Sequence, residues 1–359
     1  MFRPIFSPHV VKRAELGALR GAMMRGLAVL LALTTGGAFI AMLGVSPFAV
    51  YATMIKGALG SVISLRETVK IAIPLTIVAI GVTFAFRMRF WNIGGEGQVC
   101  VGAIAATYFA LFHHDWPQPV LIIVMALAGA AAGALYGLIP AHFKSRYGTN
   151  ETLLTLMLNY VAAFMIQYLR EGPWKNPKDM GFPKIAMFEK NARLPLVAGV
   201  HFGWIVALAL VVLAYFYFRQ AKDGYELQVV CENEMTARYA GMNVRRIILR
   251  TMAISAGICG LAGMLQATGA DKTLSDTVAG GVGFTAIIVA WLSRLNPFGI
   301  LIVASLFAVL EKGSGTVQSL HNISASAADV LQGIILFFVL GSEFFLQYRL
   351  VLRGEVRPG

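Results

Sequence analysis

Three side chains that form hydrogen bonds lie close together in an apolar part of the sequence. Asn92, Glu96 and Gln98 fall between two apolar runs, 71–86 and 99–112. Two amides and a carboxylate at this spacing can bind a solute hydroxyl or amine, and they can equally brace a glycine-rich backbone. Two interpretations therefore stay open: a polar path through the protein, or a shaped turn at a membrane surface, with bracing favoured for Glu96.

The residue patterns of common catalytic and metal sites do not occur in the sequence. It contains no G-x-x-x-x-G-K-[ST] phosphate loop, no H-E-x-x-H pair and no paired-cysteine zinc pattern. Its three cysteines, Cys100, Cys231 and Cys259, are scattered, which favours neither a disulfide nor a metal site. We therefore predict no catalytic residue, no enzyme activity and no cofactor bound by this chain.

The composition is typical of a membrane protein. Hydrophobic residues make up 57% of the chain and charged residues 13%, about half the usual charged share. Mean hydropathy is +0.70. Long, continuous apolar runs indicate transmembrane helices, so we predict an all-α, polytopic membrane protein surrounded by lipid.

The apolar runs predict about ten transmembrane helices. They are expected near 27–45, 68–86, 93–112, 119–140, 152–170, 203–218, 247–269, 279–293, 298–312 and 329–347. The eighth and ninth are short for a hydrocarbon core of about 30 Å. Short, interrupted segments are typical of helices that lie beside a substrate site in transporters.

The distribution of basic residues predicts the orientation. The formal net charge is +12, and Lys and Arg concentrate at the termini and in alternate short loops, which the positive-inside rule places in the cytoplasm. We predict a basic cytoplasmic segment 1–26, a transmembrane region 27–348 and a cytoplasmic tail 349–359. Because this rule explains the charge, we predict no nucleic-acid partner.

Two connections are long enough to meet other proteins. The outer segment 171–202 contains several prolines, which disfavour regular structure; we favour a docking surface over a solvated loop. In the inner segment 219–246, Asn233 predicts a helix start, Gly241 its end and Asn243 the start of the next helix.

Three stretches resemble a family of transport proteins. Phe90 to Gln98 resembles the F-N-I-G-x-E-G-Q signature of permease subunits of ABC importers, and segments 150–160 and 237–243 resemble the same family. The resemblance is closest to permeases that serve nucleosides with a basic-membrane-protein-type binding lipoprotein. Related groups serve simple sugars of the ribose type and branched-chain amino acids. Trp91 departs from the signature, which has no aromatic residue there.

The resemblance implies the permease subunit of an ABC importer, a multi-pass protein of the bacterial inner (plasma) membrane. Implied partners are an ATPase subunit that binds the ATP, a second permease in a heterodimer, and a periplasmic or lipoprotein solute-binding protein. The implied solute is small and neutral: a nucleoside first, with a pentose-type sugar as the alternative. From another class, a proton-coupled carrier that uses Glu96 remains open.

The expected site residues fall into two sets. For the solute path we expect hydrogen-bonding and aromatic side chains, namely Asn92, Glu96, Gln98, Asn159, Tyr160, Phe284 and Thr285. The resemblance implies that the inner segment contacts the ATPase through Glu234, Ala237, Arg238, Tyr239, Ala240, Gly241 and Asn243.

Overall fold

Helices dominate the computed structural model, which describes residues 9–12, 18–177, 181–321 and 323–351. The predicted segment 1–26 and tail 349–359 therefore lie partly outside the described residues. Within these ranges the α-helices are α1 (Ala18–Met42), α2 (Pro47–Leu59), α3 (Val62–Phe86), α4 (Gly95–Phe112), α5 (Gln118–Tyr147), α6 (Glu151–Glu171), α7 (Gly203–Gln220), α8 (Lys222–Glu232), α9 (Glu234–Tyr239), α10 (Val244–Leu265), α11 (Val282–Leu292), α12 (Pro297–His321) and α13 (Ala325–Gln347).

Short irregular elements join these helices. A π-helical turn, Gln266–Asp271, continues α10, and a 3-10 turn covers Lys190–Ala192. Two antiparallel ribbons occur in the described part of the chain. The strands β1 (His9–Lys12) and β4 (Tyr348–Val351) form one, and β2 (Leu196–Val197) and β3 (Val200–His201) form the other.

Seven helices are long and apolar enough to cross a membrane, judged over the described residues. They are Val62–Phe86, Gly95–Phe112, Gln118–Tyr147, Glu151–Glu171, Gly203–Gln220, Val244–Asp271 and Pro297–His321. The segments Gly26–Met42 and Pro47–Leu59 pass the same test together but are bent by 113°. The count is therefore seven, or eight with the bent pair, where the sequence predicted ten.

Two of the differences from the predicted bounds have identifiable reasons. The predicted span 279–293 contains only 11 helical residues, those of α11, because its first residues include two glycines with positive φ, Gly280 and Gly281. Helix α12 was expected at 298–312 but continues to His321. The apolar run ends at Glu311, yet Glu and Lys are good helix formers and do not end a helix.

The chain forms two compact units. One comprises the described residues of Met1–Ser64 and Val309–Gly359, and the other those of Leu65–Ala308. In the first unit, α1 packs along α13, and Ile40, Val50 and Leu331 belong to one buried cluster. In the second, α4, α5 and α10 pack against one another.

Glycines allow the close packing of α4, α5 and α10. A Cβ atom at Gly102 would lie 2.1 Å from the carbonyl oxygen of Gly260, and one at Gly263 would lie 1.9 Å from that of Val99. Small residues at such contacts let helix backbones approach closely, which is how helices commonly associate in lipid. A larger side chain would have to push these backbones apart.

We therefore expect Gly263→Ala to destabilise the protein by about 1–3 kcal/mol, the usual cost of overpacking. The measurement is the Tm of the purified protein in detergent. Gly315→Ala is the matched control, because Gly315 is also helical and has nothing within 4 Å of an added Cβ. Equal Tm values for the two variants would contradict the close packing.

Candidate functional site

Residues 87–94 form the α3–α4 connection, an irregular segment that runs through the interior of the bundle. Helix α3 ends where Arg89 adopts a left-handed backbone with φ 57°. Further along, the Nδ2 atom of Asn92 lies 3.4 Å from Ser255 Oγ. Ser255 follows the first residue of α10, Val244, by 11 positions, a rise of about 16 Å. The connection therefore lies well inside the helix bundle.

Asn92 and Gln98 satisfy each other's amide groups. Asn92 Nδ2 donates to Gln98 Oε1 at 3.2 Å, and Gln98 Nε2 donates to Asn92 Oδ1 at 3.1 Å. The Gly94 amide also donates to Asn92 Oδ1, at 3.0 Å. The two side chains are 0% and 2% exposed. Buried polar groups need such partners, and this arrangement suits bracing of the backbone rather than solute binding.

Helix α6 fixes the other side of the α3–α4 connection. Asn159 Nδ2 donates to the Ile93 carbonyl at 2.9 Å, and Thr155 Oγ1 accepts the Ile93 amide at 3.2 Å. Asn159 Oδ1 accepts the Gly97 amide at 2.8 Å. Gly97 lies in the first turn of α4, whose amides have no partner inside the helix. Two α6 side chains one turn apart thus satisfy backbone groups that regular structure leaves unpaired.

Glu96 caps the N-terminus of α11. Its Oε1 accepts the Gly281 amide at 2.8 Å, and its Oε2 accepts the Gly283 amide at 2.7 Å. The approach requires glycine, because a Cβ at Gly283 would lie 2.2 Å from the Glu96 nitrogen. The amides at a helix N-terminus carry partial positive charge. The carboxylate therefore satisfies two backbone donors and complements the helix dipole.

Arg87 contacts the opposite end of α11. Its Nη2 donates to the Leu295 carbonyl at 2.9 Å, and its guanidinium lies 4.0 Å from the centroid of the Phe218 ring. Arg294 and Leu295 have φ values of 53° and 57°, which turn the chain after the helix. A cation is favourable at a helix C-terminus. The stretch 87–96 therefore places an anion at the start of α11 and a cation beyond its end.

An aromatic group joins the α3–α4 connection to α11. The Trp91 and Trp291 rings are stacked, with centroids 5.5 Å apart and planes at 21°. Phe86 contacts both indoles at centroid distances of 5.8 Å and 5.6 Å. Trp91 is 48% exposed and Trp291 42%, whereas Phe86 is buried. Phe284 is also exposed and shares the α11 face of Trp291, seven residues away, two turns of helix.

The expected path residues separate into two groups. Asn92, Gln98 and Asn159 are buried and hydrogen-bonded, and Glu96 is half-buried and bonded to α11. In contrast, the structure leaves accessible the side chains of Tyr160, Phe284 and Thr285. The first group shapes the backbone, whereas the second is available for contacts outside this chain.

The inner segment 219–246 has the local structure that its sequence predicted. Asn233 Oδ1 accepts the amides of Met235 and Thr236 at the start of α9. Gly241 follows the helix with φ 78°, and Asn243 Oδ1 caps α10 by accepting the Arg246 amide. The predicted helix and its caps are confirmed.

The end of α9 forms a Schellman motif around Gly241. The Met242 amide donates to the Ala237 carbonyl, and the Gly241 amide donates to the Arg238 carbonyl, both at 3.0 Å. This pairing requires a left-handed residue, a conformation that glycine adopts without strain. Tyr239 is 86% exposed, while Ala237 is buried. Glu234 and Arg238 form an ion pair at 2.7 Å across one turn.

The sequence analysis did not predict helix α8. Arg250 of α10 pairs with Asp223 at 2.7 Å and with Glu226 at 3.1 Å, which fastens α8 to α10. Leu227 of α8 lies in one buried cluster with Met88 and Phe90 of the α3–α4 connection. A cavity of about 420 Å³ opens beside α9 and the same connection. The inner segment therefore packs directly on the irregular stretch.

The described residues of the outer segment 171–202 are mostly irregular, as its prolines predicted, and part of the segment packs against the bundle. The Phe188 side chain is 1% exposed, and its amide donates to the Lys272 carbonyl at 2.8 Å. The Leu194 amide donates to the Thr268 carbonyl at 3.2 Å. This surface is therefore shaped by contacts with the turn that follows α10.

Several residues of the site escaped the sequence analysis. Arg87, Thr155, Ser255 and Trp291 touch the site from four different helices or helix ends, so that only the fold brings them together. One signal was present: the run Gly280–Gly283 has three glycines just before an apolar stretch. Within the described ranges, no three His, Cys, Asp or Glu side chains converge as a metal site.

Long apolar helices around an interrupted, internally bonded connection are typical of membrane transport proteins. The family described as "Branched-chain amino acid transport system / permease component" matches residues 64–340, and the chain belongs to this family.

Named relatives agree with that membership. The chain is similar to the glucose ABC transporter permease protein TsgB13 of Haloferax volcanii, with 32% identity over 92% of this chain and 90% of that protein. It is similar to the guanosine ABC transporter permease protein NupP of Bacillus subtilis, with 31% identity over 88% of this chain and 92% of NupP. A second guanosine permease of that bacterium, NupQ, matches at 26% identity over 68% of this chain and 79% of NupQ. This chain is thus an ABC transporter permease, a multi-pass membrane protein and not an enzyme.

The Glu96 cap generates a stability prediction. Glu96→Ala leaves two backbone amides without their acceptor, so we expect a loss of about 1–3 kcal/mol, the cost of unpaired buried donors. Glu96→Gln keeps one acceptor oxygen and should lose less. The measurement is the free energy of unfolding, or Tm, in detergent, with the exposed carboxylate variant Glu232→Ala as control. A Glu96→Ala protein as stable as the control would contradict the capping role.

Proposed function

We propose that this permease is one of two different transmembrane subunits of an ABC importer that takes up nucleosides into a bacterial cell. The observation that carries the substrate class is the accessible aromatic face of α11, on which Phe284 and Trp291 lie. Planar rings with polar edges bind well to aromatic side chains. The similarity to NupP over most of its length supports the same class.

A heterodimer is the proposed assembly. Bacillus subtilis has two guanosine permeases that match this chain, and NupP matches with higher identity and over more of the chain than NupQ. We propose that this chain is the subunit equivalent to NupP, and we expect a different permease as the other subunit of the heterodimer. In this assembly the solute path runs between the two subunits.

The path is proposed to follow the accessible side of α11. Phe284 and Thr285 would contact the solute directly, together with Tyr160 of α6. Three buried side chains would not contact the solute but would hold the α3–α4 connection in its irregular shape: Asn92, Gln98 and Asn159. Glu96 would support the same helix as a brace, because both of its oxygens accept backbone amides of α11.

The inner segment is proposed to contact the ATPase subunit, which binds the ATP. Helix α9 is short and presents Tyr239 and Arg238 to solvent, while Ala237 anchors it to the protein. Glu234, Ala240 and Asn243 complete the expected contact surface. An exposed aromatic anchor beside a charged side chain is typical of an interaction surface.

The proposed orientation keeps both termini in the cytoplasm. The antiparallel pairing of β1 with β4 supports termini on one side of the membrane, and the excess of Lys and Arg supports the cytoplasmic side. The outer segment 171–202 would then face the periplasm, where we propose that the solute-binding protein docks.

Two other functions have less support. A simple sugar is the second candidate solute, favoured by the similarity to TsgB13. A proton-coupled carrier would need a carboxylate that is free to titrate in the path, whereas Glu96 is engaged with two amides at 2.8 Å and 2.7 Å.

The direct test is uptake by the complete importer in proteoliposomes. We expect saturable uptake of guanosine that requires ATP and the second permease and resists an uncoupler at constant ATP. Excess glucose or ribose should not compete. Uptake of glucose or ribose in the absence of guanosine uptake would replace the nucleoside by a sugar. Uptake that collapses with the uncoupler would indicate a proton-coupled carrier.

The ATPase contact has its own test. Gly241→Val places a β-branched residue at φ 78°, where such residues are strongly disfavoured. We expect an inserted permease that fails to co-purify with its ATPase. Gly44→Val is the matched control, because Gly44 has the same φ and nothing within 4 Å of an added Cβ. ATPase retention by both variants would contradict the proposed contact.

A further inference from the structure

The stacked indoles of Trp91 and Trp291 are accessible although they lie beside irregular backbone. Trp91 belongs to the α3–α4 connection and precedes Asn92, which is 0% exposed and close to Ser255 in the middle of α10. Irregular backbone at membrane depth does not face lipid; it occurs only against protein or a water-filled cavity. The backbone at Trp91 therefore borders protein or an aqueous path.

The hydrogen bonding of the indole N–H groups indicates the same surroundings. Within the part of the chain that the structure describes, neither Trp91 nor Trp291 uses its indole nitrogen in a hydrogen bond. An unpaired N–H is costly in hydrocarbon but is satisfied by water or by a solute. An aqueous path satisfies both observations.

The two rings are also held in place. Phe86 is 5% exposed, and its ring contacts both indoles, at centroid distances of 5.8 Å and 5.6 Å. Trp291 belongs to α11, which Glu96 caps at one end and Arg87 contacts at the other. A pair stacked between a fixed helix and a braced connection loses little conformational entropy when a third ring adds to the stack.

We propose that Trp91 and Trp291 form an aromatic platform on which the planar base of the solute stacks as it passes. The occupant is a flat, aromatic ring with polar edges, for which the indole face supplies stacking. The indole N–H lies in the ring plane and is left to water or to a sugar hydroxyl of the same solute. Phe284 lies on the same face of α11, two turns toward Glu96. This assignment rests on the proposed function and adds the residues that distinguish a base-bearing solute from a bare sugar.

The test measures guanosine uptake by the complete importer carrying Trp91→Leu or Trp291→Leu. Loss of one stacking partner should raise KM by about three- to tenfold, with kcat and subunit co-purification unchanged. Trp291→Tyr keeps an aromatic face and should restore most of the affinity. Trp116→Leu is the control, because Trp116 is similarly exposed, at 37%, and contacts other rings, those of Phe109 and His113.

If the Leu variants do not assemble, fluorescence quenching tests the same contact with Phe variants. Guanosine should quench the indole fluorescence of the wild-type importer, and Trp91→Phe and Trp291→Phe should each reduce that quenching, unlike Trp116→Phe. Unchanged KM and quenching in an importer that takes up guanosine would overturn the platform and leave the proposed function intact. If the Trp91 or Trp291 variants no longer co-purify with the second permease while KM is unchanged, the two tryptophans belong to the subunit interface. That result would also overturn the platform. Absence of guanosine uptake by the wild type would overturn the proposed function itself.

Discussion

The structure depends on one constraint: backbone amides inside a membrane must find acceptors within the protein. At the start of α11, two glycine amides find them in the Glu96 carboxylate, at 2.8 Å and 2.7 Å. Helix α11 has only 11 residues, so both of its ends need partners inside the bundle. Arg87 supplies a donor to the Leu295 carbonyl beyond the C-terminal end, at 2.9 Å. One short stretch of sequence thereby fixes a helix that lies almost 200 residues later.

The same stretch is itself irregular and needs support. Asn159 and Thr155 of α6 pair with its backbone on one side, and the Asn92–Gln98 pair closes it on the other. Its first residues, Met88 and Phe90, pack with Leu227 of α8. The α3–α4 connection therefore touches both the segment that faces the proposed ATPase and the helix that borders the proposed path. Movement at α8 has a short physical route to α11 through this contact.

Local features of the fold could be predicted from the sequence, whereas long-range ones could not. The α9 caps at Asn233 and Gly241 follow from side-chain and backbone preferences of a few residues, and these predictions are confirmed. Ten membrane crossings are not confirmed, since seven helices of the described residues pass by length and composition. One predicted span is shorter than expected, because hydropathy does not register the left-handed glycines before α11. The polarity of Asn92 and Gln98 was visible in the sequence, but their mutual pairing required the fold. The sequence shows that a polar group lies between apolar runs; only the fold shows whether that group braces a backbone or faces a solute.

Amide hydrogen exchange at the start of α11 tests the central claim most directly. If Glu96 is the acceptor, the peptide that contains Gly281 and Gly283 is protected in the wild-type importer and exchanges at least about tenfold faster in Glu96→Ala, a change of about 1.4 kcal/mol. Peptides from the interior of α10 should keep their protection in the same variant. Equal protection of the Gly281–Gly283 peptide in wild type and variant, with the protein folded, would contradict the account.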